Sequence, residues 1–309
     1  MKRLYDCRLG GVKPGLPSIA GATTREGGFL LSKSLVVGVV AVAALVAAGS
    51  GLAITNGQRD GDAHPNVGAM MAFDDPSQPN TLQEVCSGTL VAPQVFLTAS
   101  HCTDFLLNDL HTTDVWVTFN TNSAQGPYIH GTMEQNPAYN GKPAQNGNDI
   151  AVILLDSAPA GITPATLPPV GLFDQMKADK TLGQSSSFTA VGYGTGDKQV
   201  GGGKPTFFFD GYRWNSTSFF NALTNSWLRL TQNASVGAGG TCFGDSGGPL
   251  FYGDTSSNTI VGVTSFGLSA NVCAGTDFAF RTDQAAVIEW VLANAGAEAG
   301  QITIVPIQP

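Results

Sequence analysis

The stretch Gly244-Asp245-Ser246-Gly247-Gly248-Pro249 sets a serine among glycines and beside a carboxylate. A serine hydroxyl is a weak nucleophile until a base takes its proton and donors hold the oxyanion that its attack creates. The glycines permit a sharp turn and bring backbone N–H groups close to a bound carbonyl. A base and an acid are therefore expected elsewhere. The four histidines, His64, His101, His111 and His130, all precede Ser246. His101 stands in Leu97-Thr98-Ala99-Ser100-His101-Cys102, at the end of an apolar, β-prone run that starts at Thr89. A lone histidine at a strand end usually just packs, but the flanking cysteine and the serine motif favour a base. His64 and His111 lie in polar or proline-containing loops, and His130 in a short β-like stretch. The acid is Asp149, just ahead of the apolar run Ile150 to Leu155. A carboxylate there can orient an imidazole and stay ionised, although aspartate also caps turns at strand starts. Asp104, Asp109 and Asp114 compete only by nearness to His101 in sequence, in a polar loop that would solvate them.

Residue order separates the scaffolds. The G-x-S-x-G elbow of α/β-hydrolases needs the order Ser, acid, His, and no histidine follows Ser246. The order Asp, His, Ser of subtilisins lacks its usual histidine surroundings here. His, Asp, Ser remains. With these motifs, residues from about Ile54 to Ala295 resemble the trypsin/chymotrypsin family of serine endopeptidases. Several animal-type cysteines are absent, so the likeness is nearest to bacterial secreted members.

The resemblance, not the spacing, supplies the roles. It implies that Ser246 attacks the scissile carbonyl, His101 takes and returns its proton, and Asp149 orients the imidazole, as in the family's worked triad. It implies an oxyanion hole from the N–H groups of Gly244 and Ser246, and disulfides Cys86–Cys102 and Cys242–Cys273. The pocket for the side chain before the cut would be formed by Gly240, Thr241, Ser265, Phe266 and Gly267, with the Gly275-Thr276-Asp277-Phe278 segment. With Thr276 inward the pocket suits apolar side chains. A one-residue slip turns Asp277 inward and suits Lys or Arg. A cut after Ala53 would expose Ile54, whose new amine would pair with Asp245. No cofactor is implied. Zinc is not expected, because no C-x₂-C or H-E-x-x-H pattern occurs, and no calcium ligand cluster stands out.

Residues 1–53 read as an export leader. Lys2, Arg3, Arg8, Lys13, Arg25 and Lys33 precede the apolar run Leu35 to Ala48, and small residues then suit signal peptidase after Ala48 or Ala53. Residues 49–53 could form a short propeptide, and an uncleaved leader would instead anchor the protein to a membrane. Cys7, the fifth cysteine, falls in this leader. Residues 54–309 carry nine basic and 21 acidic side chains, which argues against non-specific nucleic-acid binding. The expected partners are a protein or peptide substrate and protein inhibitors, with the enzyme a secreted monomer. The competing function, a catalytically silent binding protein, would normally show a lost His, Asp or Ser, and all three motifs are intact.

These residues need a scaffold. Short β-rich runs such as Val115–Phe119, Phe188–Gly194, Trp227–Leu230 and Thr259–Phe266 alternate with turn clusters, as in an all-β sandwich or barrel. The resemblance implies two six-stranded Greek-key β-barrels with the active site between them: an N-terminal barrel over 54–160, a Pro-rich connector over 161–181 and a C-terminal barrel over 182–281. A C-terminal α-helix over 282–297, capped by Thr282-Asp283, and a tail over 298–309 complete the chain. The aromatic stretch Phe207, Phe208, Phe209, Tyr212, Trp214, Phe219 and Phe220 reads as a loop folded back on the second barrel rather than a substrate-binding exosite.

Overall fold

The computed structural model describes residues 54–74, 80–196, 198–199, 206–268 and 273–306. The expected leader and Cys7 lie outside them. The strands are, in order, β1 (Gln58–Arg59), β2 (Val67–Ala72), β3 (Gln83–Ala92), β4 (Val95–Thr98), β5 (Val115–Thr118), β6 (Ile129–Gln135), β7 (Ala151–Leu155), β8 (Ser187–Gly192), β9 (Lys198–Gln199), β10 (Thr206–Phe207), β11 (Trp214–Leu223), β12 (Trp227–Gln232), β13 (Pro249–Tyr252), β14 (Ile260–Gly267) and β15 (Gly275–Arg281). The first barrel closes in the order β2-β3-β4-β7-β6-β5. The second runs β11-β12-β15-β14-β13-β8 and closes where β8 pairs back onto β11. β1 extends the second barrel beside β11, and β9 and β10 form a separate hairpin. The expected architecture of two six-stranded antiparallel barrels with a C-terminal helix is therefore present.

Each barrel buries apolar side chains along its strands. Val67, Met70, Leu90, Phe96, Val117, Val152 and Ile153 are fully buried in the first. Phe188, Leu228, Leu230, Leu250 and Val261 fill the second. Ahead of these lie the short helices α1 (Ser100–Phe105) and α2 (Pro143–Asn146). The connector carries a third, α3 (Leu172–Ala178), which buries Leu172, Phe173 and Met176 against the second barrel. The C-terminal helix α4 (Ala285–Asn294) buries Val287, Ile288 and Val291. Its expected cap is not made. Gln284 occupies the cap position without a side-chain bond. Thr282 Oγ1 instead donates to Ile260 O at 2.7 Å, and Asp283 accepts from Phe173 N–H and Arg281 Nε, both at 2.9 Å. A buried guanidinium and a buried N–H need that carboxylate more than a helix end with access to water does. The start of the tail is also paired: Leu167 N–H donates to Thr303 O, and Val305 N–H to Leu167 O.

A polar brace joins the barrels behind the site. Arg213, on the chain entering β11, is fully buried. Its Nε donates to Asp60 at 2.9 Å, and its other nitrogens donate to Gly61 O, Val67 O, Phe119 O and the Tyr193 hydroxyl. Asp60 also accepts from Asn215 at 2.8 Å and pairs with His64 at 2.6 Å. Burial alone would raise the Asp60 carboxyl; the bonds and charges of His64, Asn215 and Arg213 outweigh it and hold it below its ordinary value. Breaking one partner of a buried ion pair leaves the other charge uncompensated, at a cost of about 3–5 kcal/mol. Asp60→Ala is accordingly expected to lower unfolding free energy by about that amount in a urea titration.

Candidate active site

The pairing of β4 with β7 explains why His101 and Asp149 meet. The strands are antiparallel with Thr98 opposite Ala151, so the residues after Thr98 and those before Ala151 leave the same end of the barrel. Ser100 Oγ donates to Ile150 O at 2.6 Å and fastens the two exits together. Asp149 is fully buried. Its Oδ1 accepts the His101 backbone N–H at 2.8 Å, and its Oδ2 lies 2.8 Å from His101 Nδ1. The Ser265 hydroxyl also donates to Asp149 Oδ2. Burial alone would raise the Asp149 carboxyl, but the His101 charge and these bonds leave it below its ordinary value. For His101 the balance is similar: burial lowers the imidazole, and Asp149 more than reverses that, leaving it raised. An ionised carboxylate only accepts, so Nδ1 carries the proton and Nε2 keeps its lone pair. His101 Nε2 lies 3.7 Å from Cys102 Sγ.

The second barrel brings the Ser246 turn against the residues that lead into His101. This turn leads into β13 and presses on the first barrel through Gly247, which stands at φ +80°. A Cβ at Gly247 would collide with Thr98 Oγ1 and lie 3.0 Å from Ala99 N, so only glycine lets the Ser246 turn rest on the residues that lead into His101. The Ser246 carbonyl accepts from Ser87 N–H at 2.8 Å, and Gly247 N–H donates to Thr264 O at 2.9 Å. Among the described residues no hydrogen bond joins the Ser246 hydroxyl to His101 Nε2; such bonds often tighten only around bound substrate. Ser265 sits at a β-bulge in β14 between Thr264 and Phe266, a device that re-aims a side chain beside active sites. Expected as a pocket wall, Ser265 turns its hydroxyl to Asp149. Only its place at the end of an apolar strand hinted at that.

Asp245 is fully buried. It accepts from Gly194 N–H at 2.9 Å and Cys242 N–H at 2.8 Å. Ile54 is also fully buried, and its N–H donates to Thr195 O at 3.2 Å, one residue beyond Gly194. Glu84 reaches the same turn: a Cβ at Gly244 would lie 3.2 Å from its Oε1. Burial pushes the Glu84 carboxyl well above the usual carboxylate range, a bond from Ser123 opposes this, and the Asp245 charge adds to it.

In the pocket region, Gly240 pairs with Thr55 as an isolated bridge, and any side chain there would collide with Gln232. Asp277 is buried, and its Oδ2 accepts from Thr241 N–H at 3.0 Å and Thr241 Oγ1 at 2.6 Å. Burial raises its carboxyl, with the Thr241 bonds opposing. Thr276, next along β15, points to the opposite face by the strand's alternation. Phe266 stacks on Phe278 with centroids 4.4 Å apart.

The other histidines stay away from this cluster. His64 belongs to the brace, His130 pairs with exposed Asp156, and His111 is exposed. Both disulfides are formed, Cys86–Cys102 and Cys242–Cys273. Cys86, His101 and Cys102 lie close enough to resemble a metal cluster, but disulfide sulfurs are not thiolate ligands. In the aromatic stretch Trp214 is buried, Phe207 packs edge-on to Phe243 at 5.1 Å, and Phe208, Phe209 and Tyr212 are exposed. The loop thus folds back only in part, since Arg59 lies 3.7 Å over the Tyr212 ring and holds it at the surface.

Residues 57–291 match the trypsin family. The chain belongs to that family. Brachyurin of Leptuca pugilator is 29% identical over 234 residues, covering 68% of this chain and 88% of that protein. A chymotrypsin-like serine proteinase of Haliotis rufescens is 27% identical over 227 residues, covering 67% and 79%. Both are animal proteins and lend no support to the bacterial likeness; a missing bridge changes loop entropy, so a low cysteine count is a weak mark of lineage. The fold matches an HL collagenase structure with a TM-score of 0.57 at 20% identity, over 79% of this chain and 99% of that one. It also matches a mutant of human heparin binding protein with a TM-score of 0.58 at 19% identity, over 79% and 98%. The trypsin-family chain is a serine-type endopeptidase of the trypsin/chymotrypsin kind.

With the chain still continuous before Ile54, burial pushes the Asp245 carboxyl up to about 7. The Cys242 and Gly194 N–H groups oppose this, and the Asp277 charge adds to it. A carboxyl raised on folding contributes stability that is fully present below its unfolded value near 4 and is lost as pH rises through its folded value. The uncut Ser246→Ala chain is expected to lose on the order of 4 kcal/mol through Asp245 between pH 4 and pH 8. Urea unfolding across that range should show this loss, and adding Asp245→Asn should remove it.

Proposed function

We propose that this endopeptidase is secreted and cleaves peptide bonds through Ser246, His101 and Asp149 by way of an acyl-enzyme. The observation that carries the reading is the buried 2.8 Å contact of His101 Nδ1 with Asp149 Oδ2, beside a nucleophile turn packed on Thr98 and Ala99. His101 Nε2, unprotonated, takes the Ser246 proton as Oγ attacks the scissile carbonyl. Asp149 stabilises the imidazolium so formed. The tetrahedral oxyanion is held by the N–H groups of Gly244 and Ser246; one such donor contributes about 3–4 kcal/mol in related sites. His101 then returns the proton to the leaving amine, and water repeats the sequence to release the acyl group.

Activation follows from a cut before Ile54. The Ile54 nitrogen already rests on Thr195, adjoining the residue whose N–H binds Asp245. A free ammonium there would neutralise Asp245 and stiffen the oxyanion turn. An apolar leader ahead of residue 54 supports export. Among the described residues no helix is long and apolar enough to cross a membrane.

For the residue before the cut, the inward carboxylate of Asp277 favours Lys or Arg. Among the described residues no basic side chain is bonded to it, and an incoming cation would relieve its burial. Ser246→Ala is expected to lose roughly four to six decades of peptide hydrolysis, and undiminished turnover would refute the mechanism. Asp277→Asn, which retains the acceptor for Thr241, is expected to lower kcat/KM about 100-fold on peptides with Lys or Arg before the cut. Peptides with Leu or Phe there should be cleaved as before; a uniform change across the panel would assign specificity elsewhere.

A further inference from the structure

Ser87, on β3, is bonded through all of its polar groups to segments that build the site. Its backbone N–H donates to Ser246 O at 2.8 Å, and its carbonyl accepts from Thr98 Oγ1 at 2.8 Å. Its hydroxyl donates to Gly244 O at 3.0 Å and accepts from Tyr193 N–H at 3.0 Å. The hydroxyl has a single proton, and its two partners fix the direction, since a carbonyl only accepts and an amide N–H only donates. The residue is fully buried. It therefore joins four segments: a strand of the first barrel, the residues just before His101, the nucleophile turn, and Tyr193, whose neighbour Gly194 binds Asp245 at 2.9 Å.

We propose that Ser87 is a positioning residue for the oxyanion turn: its hydroxyl fixes the Gly244–Asp245 peptide and thereby the aim of the Gly244 N–H. Gly244 stands at φ +97°, and with no Cβ it has little intrinsic resistance to rotation about that angle. Asp245 holds the turn from its C-terminal side through Gly194 and Cys242. The Ser87 hydroxyl holds the carbonyl of Gly244 itself, from the opposite barrel. Ser87→Ala keeps both backbone bonds of residue 87 and removes only the hydroxyl, so Gly244 O and Tyr193 N–H lose their partner. The turn can then swing about Gly244, and its N–H spends less time aimed at the oxyanion. A ground-state peptide places little charge there, so substrate binding is spared and the transition state is not.

The inference rests on the reading of Gly244 as an oxyanion donor. Its test compares the full processed chain with its Ser87→Ala variant, each titrated with a serine-directed phosphonate so that kcat refers to competent molecules only. Ser87→Ala is expected to lower kcat about 10- to 100-fold, with KM within about threefold of wild type. A peptide aldehyde, which adds the Ser246 oxygen to form a hemiacetal, should lose affinity by the same factor as kcat/KM. A peptide-acid product should bind as before. Wild-type kcat in Ser87→Ala, or a fall in product affinity equal to that of the aldehyde, would overturn the proposal. If Ser87→Ala does not accumulate, Ser87→Gly under the same measurements decides. A wild-type chain inert to both peptide and phosphonate would refute the endopeptidase mechanism itself, and the Ser87 proposal with it.

Discussion

Asp149 is a carboxylate with no access to water, and it stays ionised only because donors surround it. His101 supplies two of them, its backbone N–H and Nδ1–H, and Ser265 supplies the third. An unpaired charge at such a site would cost several kcal/mol or be lost to protonation. Two of these donors come from the first barrel and one from the second, so the barrels must meet in a single relative placement for the acid to work. The same bonds set the tautomer of His101 and leave the lone pair on Nε2.

The placement is enforced twice, on either side of the site. Behind it, Arg213 draws Asp60, Val67, Phe119 and Tyr193 into one buried network. In front, Gly247 lets the nucleophile turn approach Thr98 and Ala99 more closely than any side chain would permit. One contact is electrostatic and directional, the other steric. Together they fix how far the second barrel can turn relative to the first. Ser87 stands between them, bonded to Tyr193 on the brace side and to Gly244 and Ser246 on the catalytic side.

Much of this site is legible in the sequence, and what is legible has a common character. His101 and Asp149 adjoin strand ends, and Ser246 lies among glycines; each is marked by neighbours within a few residues. Short alternating runs parted by turns mark an all-β sandwich or barrel, and the family resemblance implies the pair of barrels. What local pattern misses are long-range claims on a side chain. Thr282 and Asp283 look like a helix cap until a buried Arg281 and the Phe173 N–H compete for Asp283. Ser265 reads as part of a pocket wall, and nothing local shows that a bulge also turns its hydroxyl to Asp149. Ser87 carries no local mark, because a serine in the middle of a strand resembles any other small polar residue.

The order His, Asp, Ser, the glycines that allow the nucleophile turn and the alternation that builds β-strands were all determined by the sequence, because each depends on bonds and sterics between near neighbours. Tertiary structure decided the sidedness of β15, and therefore that Asp277 rather than Thr276 meets Thr241. It also decided that Asp245, before any cut, is held by backbone N–H groups, and that Ser87 spans the two barrels. These outcomes depend on strand register and on how two separately closed barrels meet. A shift of one residue along a strand, or a small rotation between barrels, would reverse them while leaving every local pattern in the chain unchanged.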